Sequence, residues 1–456
     1  MNINVDFTKN VGKIKPMHAI NGGAIQGYER DIDYSKIVRE ANIPYARYHD
    51  IEGSLGMGQY VDIHCVFPNF DADEHDPKSY NFMLTDDYVK DTIDAGTKPF
   101  YRLGETIDHS KYALYINPPR DFAKWARICE HIIRHYNEGW ADGFEFGIEY
   151  WEIWNEPEGV PASNVFPMWT GTPEQYYELY KITANHLKKC FGDSIKIGGY
   201  AAISLSGLAE RTKDEIEYWP TGRSSTVYYA EFFTNFLKYI TSKENFAPID
   251  FFSYHKYNNC VNSIRDFADV TYAIREKLDE FGLNNTEMIC NEWNHLTIDK
   301  DWGGIESAVG VAAMMCESQR LPVDMLMYYM LNHGPGYNGI ARKDGTVLKS
   351  FYPIKEFGKL YKMGNDVEFK GGDEYIKVAS AAGEKNGGML IANMGCTQNC
   401  TINYKMKAPV KSCGVYVTDD KRDEKLILKL NYRRSESDIF LTIPEKSIMY
   451  IEFELF

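Results

Sequence analysis

Short apolar runs alternate with longer amphipathic stretches over most of the chain. Eight runs rich in β-branched and aromatic residues predict strands, at residues 18–21, 44–49, 98–103, 146–154, 196–199, 251–257, 287–291 and 325–329. The stretches between them repeat apolar residues at helical spacing, as at 119–136, 172–190, 225–241, 264–281 and 305–318. Strand–helix units in this order indicate an α/β fold, and this number of them predicts a (β/α)8 TIM barrel over residues 17–364.

The pattern changes after residue 364. Short strands broken by Gly and Asn follow, as in the segment 387–393, and no long helical period occurs there. Such a pattern predicts a β-sandwich. The alternation of Ile3, Val5 and Phe7 with polar residues precedes the first barrel strand, and we assign it to the same domain. We therefore expect a TIM-barrel domain at 17–364 and a β-sandwich domain made of 1–16 and 365–456.

Two glutamates stand at the carboxyl ends of predicted barrel strands, where polar side chains face one shared pocket. Glu156 lies in Trp-Asn-Glu-Pro at the end of the fourth strand, and Glu292 lies in Asn-Glu-Trp at the end of the seventh. Pro157 cannot extend a strand ladder, so the strand should stop there and expose Glu156. Hydrolysis of a glycosidic bond requires two such carboxyl groups, one held neutral and one ionised. We therefore predict that Glu156 and Glu292 form a catalytic pair.

The composition limits the classes of partner. The 456 residues are 44% apolar, which is enough for a large core, and they carry a net charge of −15 with a pI near 5.3. An acidic surface argues against nucleic acid and anionic membranes as partners, because both carry negative charge. The first residues lack the basic and apolar segments of a signal peptide, and no apolar run is long enough to span a membrane. We therefore expect a cytoplasmic location.

Neither a metal nor an organic cofactor is predicted. The nine cysteines are spread along the chain, and Cys396 and Cys400 have no second pair that would complete a zinc site. His131 and His135 stand at i, i+4 without the glutamate of a metalloprotease helix. No glycine-rich phosphate-binding motif follows a predicted strand.

Several segments, in the order of the predicted strands, resemble one family of carbohydrate-active enzymes. The heptapeptide Trp151–Pro157 resembles the acid/base motif of a large clan of retaining glycosidases built on TIM barrels. The segments 47–50 (Arg-Tyr-His-Asp), 250–257 (Asp-Phe-Phe-Ser-Tyr-His-Lys-Tyr) and 357–364 (Phe-Gly-Lys-Leu-Tyr-Lys-Met-Gly) resemble glycoside hydrolase family 39. That family contains β-xylosidases and α-L-iduronidases. The resemblance covers residues 17–364, and the predicted sandwich fits the family's accessory domain.

The resemblance implies roles for the matched residues. Glu156 is expected to be the general acid/base, and Glu292 is expected to be the nucleophile. Asn155 would hold a sugar hydroxyl next to the scissile bond, and His49 would contact the terminal sugar. Tyr257 would donate to Glu292 and keep it ionised, because a hydrogen bond to the charged form lowers a carboxyl pKa.

Two further residues have an alternative interpretation. The resemblance implies that Arg47 orients Glu292 through a charge-assisted bond. Arg47 could instead neutralise Glu152, which lies on the same strand face as Glu156. His255 begins the His-x-Tyr motif and is expected to bind in the site, but it could equally be a core histidine.

Some positions depart from the family pattern. The segment 291–293 reads Asn-Glu-Trp where the family usually has Thr-Glu-Phe, so we expect the Asn291 amide and the Trp293 ring in the pocket wall. Asp50 follows His49 where Gly is usual. Its carboxylate would repel a carboxylated sugar and could accept hydrogen bonds from a neutral one. Tyr328 and Tyr329 stand where a Trp platform is more usual.

Loops and tryptophans give weaker signals. The glycine-rich segment 53–58 and the acidic segment 70–77 could cap the pocket, or they could be solvated surface loops. Trp169, Trp219 and Trp302, like Trp293, could stack on a sugar face, although ordinary packing accounts for most tryptophans.

These observations predict a retaining exo-glycosidase that uses an oligosaccharide or glycoside substrate and no cofactor. The expected terminal sugar is a pentose, with β-xylose first and an arabinose second. A hexosidase or an endo-glycanase of the same clan is the alternative among enzymes, and a barrel that only binds carbohydrate is the alternative outside them. Retention requires the two carboxyl groups to lie about 5 to 5.5 Å apart. The all-β domain is compatible with a homo-oligomer.

Overall fold

Eight parallel strands close into a barrel in the computed structural model, which describes residues 1–27, 30–50, 58, 60–107, 114–158, 168–210, 225–258, 263–295, 303–332, 337–431 and 433–456. The first eleven strands are β1 (Asn2–Lys13), β2 (Ala19–Asn21), β3 (Ile25–Gln26), β4 (Ile32–Asp33), β5 (Tyr45–Tyr48), β6 (Lys98–Leu103), β7 (Tyr150–Ile153), β8 (Lys196–Ala202), β9 (Phe251–Asn258), β10 (Glu287–His295) and β11 (Met325–Tyr328). The barrel consists of β2 and β5 to β11, and β11 closes it by pairing with β2. The predicted TIM barrel is confirmed.

Helices connect the barrel strands. The described helices are α1 (Ser35–Ala41), α2 (Ile63–Val66), α3 (Met83–Asp94), α4 (Phe122–Glu138), α5 (Pro173–Phe191), α6 (Ser225–Ile240), α7 (Ser263–Glu280), α8 (Ile305–Ser318) and α9 (Phe351–Met363). Short 3-10 turns lie at Pro77–Ser79, Gly192–Ser194 and Ser206–Leu208. The start of α5 has a local cause, because Thr172 and Gln175 form a capping box and Pro173 follows the cap. In the described part of the chain, no helix combines the length and apolar character needed to cross a membrane.

The barrel interior changes from apolar to polar along its axis. Near the amino ends of the strands it is filled by Ala19, Phe100, Tyr150, Phe251, Ile289, Met325 and Met327. Two residues further along their strands stand Glu152, Ser253 and Asn291, which are fully buried. Since successive same-face positions lie two residues apart, this polar layer rests on the apolar one. The apolar layer is therefore a solid floor beneath the carboxyl ends of the strands.

A second, all-β domain follows the barrel, as predicted. Its strands are β12 (Asn365–Lys370), β13 (Ile376–Ala382), β14 (Asn386–Asn393), β15 (Gln398–Lys405), β16 (Val410–Thr418), β17 (Lys425–Leu430), β18 (Glu436–Ile443) and β19 (Ser447–Leu455). With β1 they form one nine-stranded sheet in the order β17-β16-β19-β14-β13-β12-β1-β15-β18. Leu428 from one end of the sheet and Ile439 from the other contribute to the same core. The sheet therefore curls around its own interior, as two layers of a sandwich would.

The N-terminal strand belongs to this sheet. β1 pairs antiparallel with β12 and parallel with β15. This pairing supports the proposed division of the chain into 17–364 and 1–16 plus 365–456. The acidic segment 70–77 packs on α4, since Glu74 contacts Lys124 and Arg127. Most of the glycine-rich segment 53–58 lies outside the described residues.

The sheet packs against α8 and α9 of the barrel. Ala379, Leu390 and Tyr450 of the sheet belong to the apolar core that lies between the barrel strands and their helices. Around this core, Lys355 and Lys359 of α9 donate to Glu424 at 2.6 and 2.7 Å. The two domains therefore share one apolar contact with a charged rim.

Candidate active site

The carboxyl ends of the barrel strands bring together every predicted site residue except Trp293. Arg47, His49 and Asp50 come from the end of β5, and Asn155 and Glu156 follow β7. His255 and Tyr257 lie on β9, and Glu292 lies on β10. Their contacts with one another form a single network, described below from the two glutamates outward.

Glu156 stands on a strained backbone. β7 ends at Ile153, and both Trp154 (φ 73°) and Glu156 (φ 48°) adopt left-handed conformations that non-glycine residues rarely occupy. Neighbouring strands hold this turn, because the Trp154 amide donates to the Leu103 carbonyl at 2.7 Å and the Glu156 amide donates to the Tyr200 carbonyl at 3.2 Å. Strain of this kind is found at functional sites, where the surrounding structure imposes it. Here it turns the Glu156 carboxyl into the pocket.

Glu292 accepts two short hydrogen bonds. Arg47 Nη1 donates to its Oε1 at 2.7 Å, and Tyr257 Oη donates to its Oε2 at 2.7 Å. The predicted pairing of Tyr257 with Glu292 is therefore present in the structure. The β10–β9 register shifts between Cys290 and Glu292, and such irregularities re-aim side chains at the edges of barrels.

Arg47 plays both of the roles that the sequence left open. Its Nε donates to Glu152 Oε2 at 2.8 Å, while its two Nη atoms donate to Glu292 and to Asn155, the latter at 2.6 Å. The guanidinium is fully buried. A planar fork of donors suits this arrangement, and it fixes the positions of the Glu292 carboxylate and of the Asn155 amide beside Glu156.

Glu152 is the counter-charge beneath the site. Its Oε1 accepts from Ser253 Oγ at 2.6 Å and from Asn291 Nδ2 at 2.5 Å, in addition to the Arg47 bond at Oε2. Asn291 therefore points into the barrel interior instead of forming the pocket wall. A buried carboxylate with three donors is a satisfied ion-pair partner.

Two histidines border the catalytic carboxyl groups. His255 Nδ1 lies 2.7 Å from Glu156 Oε1 and 3.5 Å from Glu292 Oε2. His49 Nε2 lies 3.9 Å from Glu292 Oε1 and 3.2 Å from Asp50 Oδ1. Burial lowers the pKa of His255 to about 4 and lowers that of His49 well below its usual value. Both imidazoles are therefore neutral near pH 7.

The two glutamates differ in their electrostatic environment. Burial raises the pKa of Glu156 to about 8. Burial also raises the pKa of Glu292, but the Arg47 guanidinium opposes that rise. Because Glu292 accepts bonds from a cation and from Tyr257, it is the carboxyl group that ionises first. One oxygen of each glutamate and His255 lie within 4.8 Å of one another.

Asp50 is a third carboxylate in the pocket. Its Oδ2 accepts from Tyr329 Oη at 2.7 Å, and its Oδ1 accepts from the Ile107 amide at 3.4 Å. Its φ of 50° explains why a glycine suits this position, since glycine enters the left-handed region without cost. Tyr329, Tyr257 and Tyr337 form an aromatic wall beside it, with ring centroids 5.0 to 6.3 Å apart.

Two residues of the site were not predicted from the sequence. Asn21, at the end of β2, donates to the Asn291 carbonyl at 2.8 Å and accepts from Arg47 at 3.3 Å. Asn21 could have been predicted as a site residue, because it is a polar residue at the end of an apolar strand. Tyr337 lies after β11 in a segment without periodicity, and nothing in the local sequence indicated that it faces Tyr257.

The tryptophans that the structure describes are packed in the core. Trp293 is fully buried and packs edge-on against Tyr328 at 5.1 Å, in the layer between the strands and the helices. The register shift between Cys290 and Glu292 lets both Asn291 and Glu292 face inward. Alternation resumes after Glu292, so Trp293 faces outward. Trp169 is likewise buried, 5.1 Å from the Trp154 ring. Trp219 and Trp302 lie outside the described residues.

Three groups of side chains in the described ranges have a spacing that could hold a metal ion. One is the catalytic set Glu156, His255 and Glu292, whose positive charge already comes from Arg47. The others are Asp62, His64 and Glu105, where Arg102 pairs with Asp62, and Glu130, His186 and Cys190, where Arg134 pairs with Glu130. In each set one carboxylate already pairs with a guanidinium, so the donor sets fit ion pairs better than a metal.

Comparison with known proteins places this site in a family. The model of glycosyl hydrolases family 39 matches residues 1–282, which is more than half of the chain. The chain belongs to this family. This membership agrees with the resemblance seen in the sequence, where glutamates end the fourth and the seventh barrel strands.

Individual relatives of this family 39 chain are distant. A β-xylosidase of Caldicellulosiruptor saccharolyticus is 26% identical over 273 residues, which cover 56% of this chain and 46% of that protein. The match thus spans about half the length of that relative. Among solved structures, a glucosidase from Croceicoccus marinus has a TM-score of 0.79 at 20% identity, covering 100% of this chain and 99% of that one. A monomeric β-xylosidase from Caulobacter crescentus has a TM-score of 0.72 at 14% identity, with coverage of 100% and 99%. These structures share the fold.

Proposed function

We propose that the protein is a retaining exo-glycosidase that removes a terminal sugar, with Glu156 as acid/base and Glu292 as nucleophile. The observation that carries the proposal is the geometry of this pair. One oxygen of each glutamate lies within 4.8 Å of the other. This distance is close to the spacing of about 5 to 5.5 Å in retaining enzymes and well below the roughly 6.5 to 9.5 Å of inverting enzymes. There is too little room between them for the water of an inverting reaction.

The first step uses the two carboxyl groups in different states. Glu156 is mostly protonated near pH 7, since burial raises its pKa to about 8, so it can protonate the leaving oxygen. Glu292 attacks the anomeric carbon as a carboxylate held by Arg47 and Tyr257. The leaving group takes the proton of Glu156, and the sugar becomes an ester of Glu292. In the second step Glu156 removes a proton from water, the water oxygen attacks the anomeric carbon, and the Glu292 carboxylate leaves.

His255 can support both steps. A neutral imidazole has one nitrogen that accepts and one that donates. With its proton on Nδ1, which lies 2.7 Å from Glu156 Oε1, the ring donates to that oxygen whether Glu156 is protonated at Oε2 or ionised. The change of role at Glu156 therefore needs no movement of the ring.

Free hydrogen-bonding groups support a sugar in this pocket. The side-chain Nδ2 of Asn155 and the Nδ1 of His49 are buried and have no hydrogen-bond partner in the described part of the chain. Buried polar groups are normally paired, so a ligand with several hydroxyls would satisfy them. The Caldicellulosiruptor relative supports β-xylose as the terminal sugar, and an arabinose is the second choice. The Croceicoccus neighbour makes a hexose the alternative.

Release of nitrophenol from a panel of aryl glycosides tests the proposal. The panel contains β-xyloside, α- and β-arabinosides, β-glucoside, β-galactoside and α-iduronide. We expect turnover of one neutral member, and we expect Glu292→Ala to abolish it while folding normally. Absence of turnover across the panel would contradict the proposed exo-glycosidase and favour a barrel that only binds carbohydrate. Release of internal fragments from a xylan, without terminal sugar, would favour an endo-glycanase.

A further inference from the structure

The Asp50 side chain is held rigidly and reaches the pocket. Its two oxygens are fixed by the Tyr329 hydroxyl at 2.7 Å and the Ile107 amide at 3.4 Å, which come from different parts of the barrel rim. The side chain keeps 21% of its surface exposed, the same fraction as that of Glu156. The negative charge of Asp50 adds to the rise that burial produces in the pKa of Glu156, so the two carboxyl groups are close enough to interact.

The charge of Asp50 has little compensation. Arg47 is shared between Glu152 and Glu292, and Arg102 pairs with Asp62. Among the described residues, the basic side chain within ion-pair distance of Asp50 is His49, whose pKa is well below its usual value because the ring is buried. Burial raises the pKa of Asp50, but the hydrogen bonds from Tyr329 and Ile107 and the charge of Arg102 oppose that rise. As a carboxylate, Asp50 adds negative charge to a pocket in which Glu152 and Glu292 already share Arg47.

The backbone does not require an aspartate at position 50. Its φ of 50° lies in the left-handed region, which glycine adopts most readily and which Asp and Asn tolerate. A residue without a side chain would therefore suit the turn at least as well. The turn thus does not explain the carboxylate, which lies against a small cleft lined by Gly22, Gln26, Gly27, Tyr60, Tyr88 and Met330.

We propose that Asp50 determines which charge the terminal sugar can carry. It accepts a hydrogen bond from a hydroxyl of a neutral sugar, and it excludes sugars that carry a carboxylate, such as uronic acids. This inference rests on the proposed glycosidase function and refines its substrate class. Two like charges about 5 Å apart in a partly buried site repel strongly enough to weaken binding by a factor of about 100 or more.

Two substitutions of Asp50 test this inference. One removes only the charge, and the other removes both the charge and the side chain. Asp50→Asn keeps the shape of the side chain, the left-handed turn and the ability to accept from Tyr329, but it removes the charge. Asp50→Gly also removes the side chain and is compatible with the backbone. Asp87→Asn makes the same charge change on the exposed face of α3 and is the matched control.

The readout compares two ligands that differ only at C5. Methyl β-glucoside carries a hydroxymethyl group there, and methyl β-glucuronide carries a carboxylate. Each is measured as an inhibitor of turnover of the neutral substrate found in the aryl glycoside panel. In the wild type and in Asp87→Asn, we expect the glucoside to bind at least 100-fold more tightly than the glucuronide.

In Asp50→Asn this preference should fall by a factor of 10 or more, mainly through tighter binding of the glucuronide. In Asp50→Gly it should fall further, and KM for the neutral substrate should rise because a hydroxyl loses its acceptor. An unchanged preference in both variants would overturn the inference, as would glucuronide that fails to bind in either. Those outcomes leave wild-type turnover intact, so they are distinguishable from an inactive wild type, which would contradict the proposed function itself.

Discussion

The two glutamates differ in their hydrogen-bond partners. Glu292 is held by a cation and by Tyr257, whereas Glu156 contacts the neutral His255. A carboxylate with charge-assisted donors stays ionised, and a buried one without them stays protonated. The assignment of nucleophile and acid therefore follows from the local environment of each side chain.

The pH dependence of kcat/KM should report the proton on Glu156. Its pKa is about 8, above the usual value, because the group is buried. Activity requires the protonated form, so it is present below this value and falls as pH rises through about 8. A profile measured on the free enzyme should show this alkaline limb, with an apparent pKa that belongs to the coupled pair. A profile that stays flat to pH 9.5 would contradict the assignment.

Glu156→Gln should separate substrates by their leaving groups. The amide cannot donate a proton to the leaving oxygen, so turnover of an alkyl or sugar leaving group should fall by about 10² to 10⁴-fold. A dinitrophenyl glycoside needs no protonation, and its first step should be much less affected. The variant should also lose the alkaline limb. Equal losses on both substrates would indicate that Glu156 acts in some other way.

Much of the site at this scale was predictable, because strand ends of a barrel share one pocket. The positions of Glu156 and Glu292 followed from that rule and from Pro157. The contact between Asp50 and Tyr329 did not, because it joins the ends of the second and eighth barrel strands and depends on how β11 closes the barrel against β2. Trp293 was expected in the pocket wall, but strand alternation turns it into the outer core.

Arg47 and Glu152 tie several strands of the barrel together. Through them β5 is bonded to β7 and β10, and Ser253 and Asn291 add bonds from β9 and β10. All of these groups are buried beneath the catalytic carboxyl groups. The same network therefore stabilises the barrel and positions the nucleophile.

Glu152→Gln should destabilise the barrel. The amide cannot neutralise Arg47, and its NH2 group would face a donor from Arg47, Ser253 or Asn291. Breaking a buried pair from one side costs about 3 to 5 kcal/mol, which should lower both the urea midpoint and kcat. Glu149→Gln is the matched control, since that side chain is 35% exposed and pairs with Lys196 at the surface; a loss of at most about 1 kcal/mol is expected. Similar losses in both variants would contradict a special role for Glu152.

The order and type of the elements were predictable from periodicity, but their ends were not. β8 and β10 continue to Ala202 and His295, beyond the predicted ends at 199 and 291. β10 continues through the polar residues Glu292, Asn294 and His295, where the apolar run stops. β8 continues through Tyr200, Ala201 and Ala202, which are fully buried. β7 begins only at Tyr150, not at 146, and Gly147 just before it has a φ of 65°.

At the scale of the whole molecule, α9 joins the barrel to the sheet. It carries Glu356, whose two carboxyl oxygens are buried and have no hydrogen-bond partner among the residues that the structure describes. Burial raises the pKa of Glu356 to about 8. The glutamate is therefore neutral in the folded protein over most of the physiological range, and ionising it would charge the domain junction.

Stability should consequently decrease with pH through this group. The pKa is raised above the unfolded value of 4.5, so the stabilisation is fully present below about pH 4.5 and is lost as pH rises toward about 8. The loss amounts to at most about 5 kcal/mol. Thermal midpoints of Glu356→Gln should show a flatter decline with pH than the wild type, with Glu374→Gln, an exposed glutamate, as the control. Parallel curves for wild type and Glu356→Gln would contradict this account.

The two-domain plan was predictable, since a change from helical to strand periodicity marks the boundary. The pairing of the nine strands was not, because register and order depend on long-range contacts that no local pattern specifies. β1 pairs with strands of the sheet that residues 365–455 form. The paired positions are separated by almost the whole length of the chain.

The most direct test of the central claim is to trap the covalent intermediate. The enzyme is incubated with the dinitrophenyl 2-deoxy-2-fluoro derivative of the sugar that the panel identifies, and intact mass and peptide mapping follow. We expect one fluorosugar per chain, attached to Glu292, together with loss of activity. Turnover of the parent glycoside with no adduct, or an adduct on another carboxylate such as Asp50, would contradict the proposed mechanism.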